Sequence, residues 1–78
     1  MLLGKAFAMP KLFSSRKIIK TLEKTGFVFI SRKGSHIKYR KYGLKILNVI
    51  VPADKKEIPY GTFKSILRQS ELMEENFD

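Results

Sequence analysis

The sequence predicts a small α+β domain in the order α-β-β-β-α, and three observations carry that prediction. Two stretches place apolar residues at helical spacing: Ile18, Ile19 and Leu22 near one end, Phe63, Ile66 and Leu67 near the other. Between them lie three runs rich in aromatic and β-branched residues, 27–30, 36–41 and 45–51, which fit strands. Short breaks at Thr25-Gly26, Gly34-Ser35 and Tyr42-Gly43-Leu44 leave each element next to its neighbour, so the strands form an antiparallel meander of hairpins.

Residues 1–13 have no clear period and read as an irregular lead-in, interrupted by Pro10, with Leu12 and Phe13 packing ahead of the first helix. Ser14 and Ser15 are N-cap candidates for a helix over 15–25. Lys17, Lys20, Glu23 and Lys24 lie opposite its apolar stripe, and Gly26 suits the left-handed position after its end. Phe27 opens the first strand, and Arg32-Lys33-Gly34-Ser35 turns it into the second. In the third, Leu47, Val49 and Val51 face the core until Pro52 stops the run. Ile46 and Ile50 make its other face less polar than bare solvent requires. After a loop over 53–61 comes a helix over 62–71. Its start at Gly61-Thr62 offers N–H groups and a hydroxyl to an anion, or Thr62 simply caps its own helix. The acidic tail, 72–78, adds a short turn anchored by Phe77. Both helices need the same sheet face to bury their stripes, which is the layout of a double-stranded-RNA-binding-like fold spanning 1–78 as one domain.

Size and charge narrow the function. Seventy-eight residues lie near the lower limit for a self-sufficient core, which leaves room for support from a partner or from self-association. With no cysteine and one histidine, the chain has neither a disulfide framework nor a structural zinc cluster, and it calls for no cofactor. No run is apolar enough for a membrane span, and the first eight residues are too poorly organised for a secretory signal. The expected location is cytoplasmic, and Met9-Pro10 is an alternative start. The net charge of +9 points to a polyanion, and its distribution is uneven. Residues 1–50 hold twelve Lys and Arg against the single acid Glu23.

The most informative stretch surrounds that histidine. Beyond Gly34-Ser35, His36, Lys38 and Arg40 alternate with Ile37 and Tyr39, so an imidazole, an ammonium and a guanidinium project from one strand face. Histidine titrates near neutrality, and neighbouring cations stabilise a charged phosphoryl transition state. The same pattern also suits a solvated surface histidine, a plain RNA-binding module, or a basic face that meets an acidic protein.

Residues 9–72 resemble the HicA toxins, the YcfA-like group of small mRNA interferases. The resemblance rests on Leu22 and Gly26-Phe27, then Gly34-Ser35-His36 with Lys38 and Arg40-Lys41. It continues through Val51-Pro52, Lys56-Glu57-Ile58, Gly61-Thr62 and Ile66-Leu67-Arg68-Gln69 in that order. It implies the toxin of a two-component system, an endoribonuclease that cleaves mRNA and blocks translation, with His36 as its catalytic residue. It also implies a HicB-type antitoxin that covers the active site and binds operator DNA jointly with the toxin. Lys33, Lys38 and Arg40 would neutralise phosphates, while Gly34 and Ser35 would let the RNA backbone approach. The chain departs from the family pattern at Asp54, where many members carry a second histidine, so it lacks the second imidazole of a two-histidine acid–base scheme.

Overall fold

The computed structural model describes residues 10–78; the first nine positions of the expected lead-in lie outside the described residues. Helix α1 (Ser15–Lys24) is followed by strands β1 (Val28–Lys33), β2 (His36–Lys41) and β3 (Leu47–Pro52), and helix α2 (Tyr60–Ser70) by a 3₁₀ turn, Glu74–Phe77. The strands form one antiparallel sheet in the order β1-β2-β3, as the meander predicts. Both helices lie on one sheet face, and the α+β architecture is consistent with the double-stranded-RNA-binding-like layout.

Local chemistry accounts for the boundaries. Ser14 accepts from the Lys17 N–H at 3.1 Å, capping α1. Gly26, at φ +103°, takes the left-handed position after Thr25. Its missing Cβ also matters, since an added one would lie 3.2 Å from the Lys41 side chain. The β1–β2 loop is Gly34-Ser35 alone, because Lys33 pairs with His36. A positive φ at Gly34 but not at Ser35 is the signature of a type II′ turn.

The inner face of the sheet supplies Ile37, Tyr39, Val49 and Val51, against which Ile18, Leu22, Phe63 and Ile66 are buried. Phe13, Phe63 and Phe77 join the lead-in, α2 and the tail, with ring centroids 5.2–6.1 Å apart. Phe77 is fully buried, as its place in the tail predicts.

Two expectations are corrected. Helix α2 starts at Tyr60, not 62, with Pro59 as its N-cap and no side-chain cap hydrogen bond. Thr62 therefore sits inside the first turn and caps nothing. The two extra residues open with Tyr60, which donates to Glu74 outside the helix at 3.2 Å and packs its ring 6.1 Å from Phe63 within it. The third strand begins at Leu47, not at 45, and includes Pro52, which occupies the last position of an edge strand.

Candidate functional site

The sheet has an outer face that no helix covers, and β2 runs down its middle. Because Ile37 and Tyr39 are buried inward, His36, Lys38 and Arg40 must point outward. Pairing sets their neighbours. Lys33 and Pro52 flank His36, Ser31 and Ile50 flank Lys38, and Val28 and Asn48 flank Arg40. Directly opposed residues share a face, so Lys33 stands beside His36 with Cβ atoms about 5 Å apart. His36, Lys33, Gly34 and Ser35 are exposed; Lys38 and Arg40 are half-buried.

His36 lines a shallow depression of about 270 Å³ together with Ser31, Arg32, Lys33, Lys38 and Ile50. Among the described residues, none of Lys33, Lys38 and Arg40 forms an ion pair, so all three charges are available to an anion. Arg40 is nevertheless held: its Nε donates to Asn48 Oδ1 at 2.6 Å. Lys41, adjacent in sequence, points the other way and lies over the Phe27 ring at 5.8 Å.

The hairpin carrying His36 is pinned at its tip. The Ser35 carbonyl accepts from the Ala53 N–H at 2.8 Å, joining the tip to the turn after β3. That turn is in turn fastened by Ser15, which is buried. Its hydroxyl donates to the Pro52 carbonyl at 2.6 Å and accepts from the Lys55 N–H at 2.9 Å. Asp54 sits at the apex of this turn with a left-handed φ of +56°. Its carboxylate pairs with Arg32 at 3.0 Å and is 82% exposed. It lines a groove with α1 residues Arg16 and Lys20 and is not among the residues around His36. Among the described residues, the His36 imidazole has no side-chain hydrogen-bond partner, and no metal-holding cluster of His, Cys, Asp or Glu occurs.

Sequence reasoning reached His36, Lys33, Gly34, Ser35, Lys38 and Arg40, and the fold groups them along one face. It did not assign Ser31, Arg32 or Ile50 to the site, although it placed Ile50 on the outer face. Ser31 was legible: a two-residue turn at Gly34-Ser35 sets Ser31 opposite Lys38. Further along, an irregularity between Phe29 and Ser31 shifts the register and brings Val28 opposite Arg40.

No helix among the described residues is long and apolar enough to cross a membrane. No curated protein matches the chain. The family model of the HicA toxin of bacterial toxin–antitoxin systems matches residues 15–72, from the first residue of α1 to just past α2. This match takes in most of the 78 residues and every element of the sheet that carries His36, so the chain belongs to the HicA toxin family.

Proposed function

We propose that this toxin is an endoribonuclease that cleaves mRNA on the outer sheet face, with His36 in the chemistry and the whole chain acting as one domain. The observation that supports this most is the grouping of His36 around one depression with Lys33 and Lys38, two cations that form no ion pair, whereas Arg32 at its rim is paired with Asp54. His36 takes the proton from a ribose 2′-hydroxyl. The 2′-oxygen then bonds to the adjacent phosphorus as the bond to the 5′-oxygen breaks. The products are a 2′,3′-cyclic phosphate and a 5′-hydroxyl end. Lys33, Lys38 and Arg40 neutralise phosphate charge, while Gly34 and Ser35 admit the RNA backbone. The leaving oxygen takes its proton from a neighbouring lysine, from water, or from the same histidine of a second copy. The substrate supplies its own nucleophile, so no step is routed through a metal and DNA is spared.

A second reading, a non-catalytic RNA-binding module, draws support from the lack of a side-chain hydrogen-bond partner for the His36 ring and from Asp54 lining a different groove, paired with Arg32. The two readings separate on labelled mRNA with excess EDTA. Under the first, the wild type cuts and His36→Ala loses at least ~10²–10⁴-fold while RNA still shifts in a gel. Retained cutting by His36→Ala would remove the histidine from the mechanism, and binding without cutting by the wild type would favour the module. As the family implies, the partner that silences the toxin is a HicB-type antitoxin, and operator DNA is contacted only within that complex.

A further inference from the structure

The end of the outer face remote from His36 carries an arrangement that phosphate neutralisation does not require. Arg40 Nε is fixed by Asn48 Oδ1 at 2.6 Å, and its Nη1 lies 3.4 Å from the Tyr42 hydroxyl. The guanidinium carbon sits 5.9 Å from the Tyr42 ring centroid, within cation–π range. Tyr42 itself is 60% exposed, and Val28 and Ile46 beside this end are exposed as well. An aromatic ring braced by a held guanidinium, left open to solvent, is an unfilled stacking surface.

We infer that Tyr42, braced by Arg40 and Asn48, is a stacking platform for an unpaired base of a single-stranded RNA whose phosphates follow the row His36, Lys38, Arg40. The inference rests on the RNA-cleaving reading of this face and adds how the strand is gripped away from the cut. Charge argues for nucleic acid as the occupant. The outward residues of the three strands include His36, Lys33, Lys38 and Arg40 and no acid. Distance argues for a single strand. From His36 to Arg40 is about 13 Å along β2, a span that a few extended nucleotides cover. Stacking tolerates every base because each has a π-face, so Tyr42 would set a graded preference rather than an absolute one.

The test uses the His36→Ala protein, so that RNA survives, and a short single-stranded RNA with 2-aminopurine moved one position at a time. At one register the fluorescence should be quenched by this protein and equally when it also carries Tyr42→Phe. Adding Tyr42→Ala should abolish the quench and weaken binding roughly 5- to 150-fold. Leu44→Ala, at a fully exposed neighbour in the same loop, should change neither. Equal quench and affinity with Tyr42→Ala, or no quench at any register, would overturn the platform. Cleavage of unmodified RNA by proteins with His36 intact judges the nuclease reading separately. Cutting with no Tyr42 effect on binding leaves the nuclease without the platform; a Tyr42-dependent quench without cutting leaves the platform on a module that only binds.

Discussion

At the scale of single residues, the outer and inner faces of β2 do different work. His36 is exposed on the open face, whereas Tyr39, three residues on, is buried against the helices. Tyr39 donates to Glu23 at 3.0 Å, which engages the only acid of residues 1–50. Burial first, then that hydrogen bond and the carboxylate charge, push the phenol from 10.0 up to about 12. The folded state therefore holds this proton more tightly than the unfolded chain. The stabilisation is complete below pH 10 and is lost as the pH rises through about 12. Tyr39→Phe should flatten the decline in stability over that alkaline window, read from urea unfolding at stepped pH. An unchanged decline would assign it to other groups.

At the scale of elements, the site depends on how α1 holds a turn that belongs to the sheet. Ser15 is the first residue of α1, yet its hydroxyl bridges Pro52 and Lys55, and its own N–H donates to the Lys55 carbonyl at 2.9 Å. The same turn grips the hairpin tip through Ala53 and Ser35. Ser15→Ala leaves a half-buried carbonyl and an amide without their shared partner, so it should cost about 1–3 kcal/mol. Amide exchange at Ala53 and Lys55 should also speed up more than exchange in the β2–β3 ladder. Uniform acceleration across the protein would mean that Ser15 supports global stability alone. On the far edge, Gln69 of α2 accepts from the Ile50 N–H at 2.9 Å, so β3 is an edge strand with one of its outward donors already occupied.

At the scale of the whole molecule, a domain this small has little stability to spare, of order 4–12 kcal/mol for its length. The Phe13, Phe63 and Phe77 cluster ties both ends of the described chain to α2. Phe77→Ala should cost about 3–5 kcal/mol by leaving a cavity. A midpoint shift in urea near zero would show instead that the acidic tail is dispensable. Charge is the other molecular property with a measurable consequence. If the outer face binds single-stranded RNA, log affinity should fall linearly with log salt, and replacing Lys33, Lys38 or Arg40 by alanine should lower the slope by about 0.7 each. The same replacement at Lys41, turned inward over Phe27, should leave the slope nearly unchanged.

Much of this molecule follows from local chemistry and was legible without coordinates. Apolar spacing around Ile18 and Ile66 determined two helices, Ser14 and Gly26 bounded the first, and period-2 alternation put His36, Lys38 and Arg40 on one face. These features depend on residues close together in the chain, so a single sequence contains them. The remainder depended on contacts between distant segments. The register shift before Ser31, the early start of α2 under Tyr60 and Glu74, and the diversion of Asp54 to Arg32 each require a partner that local pattern does not name. The open Arg40–Tyr42 stack was equally hidden, because Tyr42 lies beyond the strand and only the bond from Arg40 to Asn48, eight residues on, brings the guanidinium to its ring. Periodicity determined which way each side chain faces, and only tertiary packing decided which side chain from elsewhere it meets.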